Sequence, residues 1–221
     1  MNKKAVFFDL DGVLVDSERV HQKMWRDYSD AIHASIPPER FYCLVGSHRS
    51  LELWDQILEG TIMSGREEEF LSGFLEFGPK WSENIRLWEH IFPDVEEFLK
   101  FLKKKNVYIA CASSSNISYI RNILGGAGLL EYFDLLATSD DFEKSKPAPD
   151  IYLYCLEKSG VRAEECMVVE DSFYGIEAGK TAGIMVCARR DTEFYLNQSR
   201  ADLLFDKLDE LKMYFSDNTE R

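Results

Sequence analysis

Short apolar runs alternate with amphipathic stretches along most of the chain, and the first apolar run ends at two acidic residues. Residues 4–10 have the composition of a buried strand, with Asp9 near its end and Asp11 and Gly12 directly after it. Apolar runs of this length are typical of strands in parallel sheets. Charges at the end of a buried strand are costly unless a partner binds them, and glycine allows the backbone to turn sharply. The pattern predicts a strand that ends at a chemical site.

The segment that follows this strand predicts helices and no strand. Val20, Met24, Tyr28 and Ile32 recur at a spacing of four, which is a helical face, and Asp16 and Ser17 before them offer an N-cap. We predict further helices from about residue 48 to residue 58 and over residues 67–77, with breaks at residues 37–38 and 78–79. Residues 16–89 are therefore predicted to form an all-helical domain.

From residue 92 onward, apolar runs alternate with helical patterns. Strands are predicted at residues 107–112, 135–138, 167–170, 184–187 and 202–205. This alternation is typical of an α/β fold, in which a parallel sheet carries helices on both faces. The predicted α/β domain is discontinuous and consists of residues 1–15 and 90–221.

Polar residues follow four of the predicted strands. Ligands of open parallel sheets bind beyond the carboxyl ends of the strands, so these side chains are expected to meet at one edge. Four carboxylates there would repel one another, and a divalent cation with oxygen ligands, such as Mg²⁺, would relieve the repulsion. Acids that start a helix, serines that cap one and a surface lysine are the alternatives. The residues are Asp9, Asp11, Ser113, Ser114, Lys146, Glu170 and Asp171.

These residue types together favour phosphoryl transfer. Asp9 would attack phosphorus, and Asp11 would protonate the leaving oxygen and later deprotonate the attacking water or alcohol. Ser113 would hold one phosphate oxygen, while Mg²⁺ and Lys146 would stabilise the charge on the others. A calcium loop is the alternative for the first two aspartates, but Val13 occupies its third ligand position and a strand precedes it.

The composition of the chain limits the classes of molecule that it is expected to bind. The net charge of −13 argues against nucleic acid, although a local lysine or metal still permits a phosphate ligand. The chain has five cysteines without a C-x-x-C pair, which is typical of reduced thiols in the cytoplasm. We find neither a signal peptide nor an apolar run of membrane length. The expectation is a cytoplasmic monomer that acts on a small phosphorylated metabolite, without a membrane or nucleic-acid partner.

The four polar segments resemble the four motifs of the haloacid dehalogenase superfamily of Asp-dependent phosphatases and phosphomutases. They are residues 8–12 (FDLDG), 112–114 (ASS), 146–147 (KP) and 170–172 (EDS). The resemblance implies a Rossmann-like core with a helical cap inserted after the first motif. It also implies that Mg²⁺ is bound by Asp9, Asp171, Glu170 and the main-chain carbonyl of Asp11.

Within the superfamily, residues 16–21 (DSERVH) with Trp25 resemble the first cap helix of the β-phosphoglucomutase group. Residues 46–49 (GSHR) resemble that group's loop, whose arginine grips the distal phosphate of the substrate. The resemblance implies substrate-binding roles for Ser114, His21 and Arg49. Packing within the cap is the alternative for His21 and Trp25, and a surface position is the alternative for Arg49.

Three functions remain open at this stage. The first is an Mg²⁺-dependent phosphatase of a small metabolite, a sugar phosphate for preference, with an aspartyl-phosphate intermediate. The second is a β-phosphoglucomutase, which passes the phosphoryl group to a sugar hydroxyl instead of water. The third is a phosphate-binding module without turnover, which would have no need of an acid/base at Asp11. Dehalogenation of haloalkanoates is disfavoured because that chemistry needs no magnesium and usually lacks the second aspartate.

Overall fold

A computed structural model describes residues 2–45 and 51–215 of the chain. Six strands form one sheet in the order β3-β2-β1-β4-β5-β6, and every neighbouring pair is parallel. The parallel sheet predicted from the sequence is therefore confirmed. The strands are β1 (Ala5–Phe8), β2 (Tyr108–Ser113), β3 (Leu135–Thr138), β4 (Cys166–Glu170), β5 (Met185–Arg189) and β6 (Leu203–Phe205).

The described residues form seven α-helices, all of which lie between successive strands in the chain. Three of them lie between the first two strands: α1 (Ser17–Ala31), α2 (Leu51–Leu58) and α3 (Glu67–Ser82). The other four accompany the sheet: α4 (Val95–Lys104), α5 (Ile117–Gly126), α6 (Asp150–Ser159) and α7 (Phe173–Thr181). Short 3₁₀ helices cover Pro38–Leu44, Leu87–His90, Leu130–Tyr132, Ser139–Asp141, Ala163–Glu165 and Leu208–Phe215.

The central strand β1 shows why its sequence is apolar without interruption. Val6 and Phe8 pack into a cluster with residues of α4 and α5 on one face of the sheet. Ala5 and Phe7 pack into a second cluster with residues of α6 and α7 on the other face. All four side chains are fully buried, because side chains of a strand alternate between faces and both faces are covered.

The inserted helices have an aromatic core of their own. Trp25 lies at its centre, and its ring stacks on Phe74 with the ring centroids 3.4 Å apart. Phe41, Trp54 and Phe70 belong to the same cluster. The position of Trp25 agrees with its interpretation as a cap core residue. The division of the chain at residues 16 and 89 stays a prediction.

Two boundaries of the helical insertion need comment. The sequence predicted that the third helix would end at residues 78–79, but α3 continues through Pro79 to Ser82. The prediction was wrong because the last turn is held by a tertiary contact: Trp81 Nε1 donates a hydrogen bond to Asp27 Oδ2 on α1, at 2.8 Å. The predicted start of the second helix near residue 48 lies outside the described residues. In the described part of the chain, no helix has the length and apolar character needed to cross a bilayer.

Candidate active site

The candidate site lies at the carboxyl edge of the sheet, where the strand order reverses. Asp9 directly follows β1, and its backbone N–H donates to the Val169 carbonyl of β4 at 2.9 Å. From β1 the chain first adds β2 and β3 on one side of the sheet and then β4, β5 and β6 on the other side. Open α/β sheets form a ligand-binding crevice at the point where the order changes side. A cavity of about 190 Å³ occupies this crevice. It is lined by Asp9, Asp11, Glu18, His21, Gln22, Trp25, Leu44, Ser113, Ser114, Ser115, Lys146, Asp171, Ser172 and Tyr174.

Lys146 lies inside the site and is not a surface residue. Its side chain is buried, and Nζ donates to Asp9 Oδ1 and to Glu170 Oε1, both at 2.6 Å, and to the Ala112 carbonyl at 2.9 Å. Burial opposes its charge, but the two carboxylates outweigh that effect and raise the pKa of Lys146 well above its ordinary value. One buried cation therefore neutralises part of the charge of two buried acids.

Asp9, Glu170 and Asp171 form a buried acidic triad. One carboxylate oxygen from each lies within 4.8 Å of the other two. Burial raises the pKa of Asp9 to about 8 even though the charge of Lys146 opposes the shift. Burial and the charge of Glu170 raise the pKa of Asp171 well above its ordinary value. Three carboxylates that repel one another in a site of this size form a donor set suited to a hard divalent cation.

Glu170 is the most completely hydrogen-bonded member of the triad. Its Oε1 accepts from Lys146 and from the hydroxyl of Tyr152, which lies at 2.7 Å. Its Oε2 accepts the backbone N–H of Asp171 at 3.1 Å and the hydroxyl of Ser172 at 3.4 Å. The interpretation of Glu170 as a helix-starting acid is wrong, because Glu170 is the last residue of β4 and α7 begins only at Phe173. Ser172 is the N-cap of α7, and its Oγ accepts the backbone N–H three residues on.

Two glycines allow the acids to approach the backbone. A Cβ atom on Gly175 would lie 1.8 Å from Glu170 Oε1. A Cβ atom on Gly12 would lie 2.0 Å from Asp171 Oδ2, and Gly12 also has a φ of +74°, which side chains rarely adopt. The glycine after the second aspartate thus provides both the turn and the space that the sequence suggested.

Asp11 stands apart from the triad, with its carboxylate held by three hydroxyl groups. Oδ1 accepts from Ser17 Oγ at 2.5 Å and from the Tyr119 hydroxyl at 2.9 Å. Oδ2 accepts from Ser115 Oγ at 3.0 Å. Burial and the nearby charge of Asp11 raise the pKa of Tyr119, so its hydroxyl keeps the proton that it donates. The predicted metal contact of Asp11, through its main-chain carbonyl, stays a prediction.

The serine segment after β2 faces the cavity. Ser113 is buried, and its Oγ accepts the backbone N–H of Ser115 at 3.0 Å, while Ser114 is exposed at the cavity. The N-cap of α5 is Asn116, whose Oδ1 accepts the Tyr119 N–H at 2.9 Å. Because Asn116 caps the helix, capping does not account for the serines at positions 113 and 114.

The cap contributes α1 to the cavity wall. His21 and Trp25 both line the cavity, one helical turn apart. Asp16 occupies the N-cap position of α1 but makes no side-chain cap bond; its carboxylate accepts from Arg19 Nη1 at 3.0 Å instead. Arg49, predicted to bind the distal phosphate, lies outside the described residues.

Ser115, Tyr119 and Tyr152 were not among the predicted site residues, and Ser17 was predicted only to cap a helix. Ser115 lies in a polar turn that the sequence did identify, so its position carried a partial signal. Tyr152 stands between Ile151 and Leu153, and Tyr119 is followed by Ile120, so in the sequence each aromatic ring predicts only packing on a helix. Their hydroxyl contacts depend on how the helices sit over the sheet edge.

Comparison with known proteins assigns the class. The family model for haloacid dehalogenase-like hydrolases matches residues 3–183. The phosphorylated carbohydrates phosphatase of Thermotoga maritima is 32% identical over 194 residues, which cover 82% of this chain and 82% of that protein. The protein SUPPRESSOR OF QUENCHING 1, chloroplastic, of Arabidopsis thaliana is 30% identical over 193 residues, which cover 85% of this chain but only 18% of that protein.

A solved structure extends the similarity to the whole fold. A Thermotoga maritima protein provisionally described as a β-phosphoglucomutase has a TM-score of 0.71 and 28% identity, with 96% of this chain and 99% of that chain covered. The fold and the matching family model define a hydrolase built on a Rossmann-like sheet. The chain belongs to the haloacid dehalogenase-like hydrolase family, as the four sequence motifs indicated.

Proposed function

We propose that this protein is an Mg²⁺-dependent phosphatase that hydrolyses a small phosphorylated metabolite through an aspartyl-phosphate intermediate. The observation that carries the proposal is the position of Asp9 at the cavity, with Lys146 Nζ 2.6 Å from Oδ1. A buried lysine fixed beside a carboxylate can stabilise the charge of a phosphoryl group that the carboxylate receives. Asp11 and Ser113 line the same cavity, as the proposed chemistry requires.

The chain's own residues account for both half-reactions. In the first, a carboxylate oxygen of Asp9 bonds to phosphorus, the ester P–O bond breaks, and Asp11 gives its proton to the leaving oxygen. In the second, water attacks phosphorus and loses a proton to Asp11, and the acyl phosphate bond breaks. Inorganic phosphate leaves and the Asp9 carboxylate is restored. Ser113 would hold one phosphate oxygen and Ser114 would contact the substrate from the exposed end of the turn.

The acidic triad would hold the magnesium ion. We propose Asp9, Asp171 and Glu170 as its carboxylate ligands, with the main-chain carbonyl of Asp11 as a further oxygen ligand. The bound ion would neutralise negative charge on the phosphoryl group and on the triad. The fit rests on three buried carboxylates whose nearest oxygens lie within 4.8 Å of one another.

A phosphorylated carbohydrate is the substrate class that we favour. The relative with 82% coverage of both chains is a phosphatase of phosphorylated carbohydrates. Glu18, His21 and Gln22 on α1 line the cavity and offer hydrogen-bonding groups to a leaving group with several hydroxyls. We assign the protein to the cytoplasm because its five cysteines are free, as expected in a reducing compartment.

A phosphomutase is the second candidate, favoured by the solved structure of the same fold at 28% identity. The two functions use the same core residues and differ in the acceptor, which is water in one and a sugar hydroxyl in the other. Arg49 would bind the second phosphate of a mutase substrate.

Purified protein assayed on a panel of sugar phosphates, with Mg²⁺ and with EDTA, tests the proposal. We expect free phosphate to be released with Mg²⁺ and not with EDTA, and no release by the Asp9→Asn variant. Conversion of β-glucose 1-phosphate to glucose 6-phosphate with little free phosphate would identify the mutase instead. Phosphatase activity that survives in Asp9→Asn would refute the nucleophile.

A further inference from the structure

The carboxylate of Asp11 is held from two sides by the core and from one side by the cap. Ser115 and Tyr119 belong to the core segment after β2 and bind opposite oxygens, Oδ2 and Oδ1. Ser17 is the first residue of α1 and shares Oδ1 with Tyr119. A carboxylate that accepts hydrogen bonds on both oxygens cannot rotate about its own axis without losing one of them. The two core hydroxyls therefore fix the plane of the carboxylate.

Tyr119 is itself fixed at both ends. Its backbone N–H is bound by the N-cap Asn116, which sets the position of the first turn of α5. Its side chain is partly buried and packs against the hydrophobic cluster of the core that contains Ile123 of the same helix. The ring and the backbone therefore hold the hydroxyl toward Asp11.

We propose that Tyr119 and Ser115 are positioning residues that orient the Asp11 carboxylate for proton transfer to the leaving group. A carboxylate has about four acceptor positions, of which these three hydroxyls occupy two on Oδ1 and one on Oδ2, so the second position on Oδ2 is left for the proton that Asp11 transfers. The inference rests on the proposed function, because it assigns a purpose to the acid/base of that reaction. Neither residue touches the phosphoryl group in this assignment.

Leaving groups of different basicity separate positioning from a structural role. An alkyl phosphate, such as a sugar phosphate, releases an alkoxide unless an acid protonates it, whereas p-nitrophenyl phosphate releases a stable phenolate without one. kcat/KM covers the steps up to phosphoryl transfer to Asp9, so the later hydrolysis of the aspartyl-phosphate does not enter the comparison. We therefore compare kcat/KM of Tyr119→Phe on the two substrates.

We expect Tyr119→Phe to lower kcat/KM on the sugar phosphate by about 10-fold or more, as a fraction of the 10²–10⁴ that general acid catalysis supplies. The loss on p-nitrophenyl phosphate is expected to stay below about 2-fold. Ser115→Ala removes the contact on the other oxygen and should show the same dependence on the leaving group, which keeps the test decisive if Tyr119→Phe does not fold. Tyr154→Phe, a tyrosine of α6 outside the cavity, is the matched control and should leave both values unchanged.

Equal losses on both substrates, or no loss on either, would overturn the positioning role. The proposed function has a separate control, since Asp9→Asn must abolish turnover of both substrates. If Asp9→Asn stays active, the nucleophile assignment fails. If it is inactive while Tyr119→Phe and Ser115→Ala show no dependence on the leaving group, only the positioning role fails.

Discussion

Replacing Lys146 by methionine removes a positive charge that lies between two buried acids, Asp9 and Glu170. The side chains of Lys146, Asp9 and Glu170 are 4%, 11% and 1% exposed, so solvent cannot replace the lost partner. Removing one member of a buried ion pair costs about 3–5 kcal/mol, because the remaining charge stays buried without compensation. Asp9 carries that charge above a pH of about 8, and the melting curves are compared there. For a chain of this size, each kcal/mol lowers Tm by about 2–4 °C. The metal-free variant is therefore expected to melt about 6–20 °C below the wild type.

Magnesium should recover part of this loss. A cation bound by Asp9 and Asp171 would compensate the charges that the lysine no longer neutralises, so the increase of Tm on adding Mg²⁺ should be larger in Lys146→Met than in the wild type. Thermal unfolding followed by circular dichroism, in EDTA and in Mg²⁺, measures both effects. Lys144→Met is the matched control, since Lys144 is exposed two residues away. An unchanged Tm in EDTA, or an Mg²⁺ shift no larger than that of the wild type, would refute the reasoning.

Three further predictions concern the same site. Gly175→Ala should destabilise the protein by about 1–3 kcal/mol through overpacking against Glu170 and should lower kcat. Gly125→Ala is the control, because Gly125 has open space around it and the change should be neutral or stabilising. Denaturant unfolding of the two variants measures both changes in stability. Tyr152→Phe removes a buried hydrogen bond to a charged group and should cost about 1.5–3 kcal/mol by the same measurement, so equal stability to the wild type would contradict it. Burial raises the pKa of Asp9 from 3.8 to about 8, so the folded state binds a proton that the unfolded state releases, and metal-free stability should fall as pH rises through this range. Asp9→Asn should weaken that dependence in melting curves recorded in EDTA, and an unaltered slope would count against the assignment.

Several parts of the fold are determined by local sequence pattern. The uninterrupted apolar character of residues 5–8 predicts a strand covered on both faces, and the structure confirms it with clusters on either side. Acids, serines and a lysine after successive strands predict that these groups meet, because parallel strands all end at the same edge of the sheet. The identity of the edge follows from strand direction alone. No knowledge of packing is required.

The end of α3 shows where local pattern fails. A glycine and a proline at positions 78 and 79 predict a helix end, since proline lacks the N–H that the helix would use. The helix nevertheless continues, because Trp81 gains a hydrogen bond to Asp27 and a contact with Lys23 on the neighbouring helix. A contact between residues 54 positions apart in the chain cannot be seen in a local window.

The sequence by itself determined the parallel sheet with helices on both faces and the edge of the sheet at which the acidic residues meet. It also determined that Asp9 and Asp11 lie two residues apart at the end of the first strand. Only the tertiary structure decided which hydroxyls hold Asp11 and that Tyr152 and Lys146 share one oxygen of Glu170. The physical reason is the separation along the chain of the residues that interact. Strand direction and helix period follow from neighbouring residues. The reach of a tyrosine hydroxyl depends on how two elements pack, and in the sequence such a tyrosine resembles any other core aromatic residue.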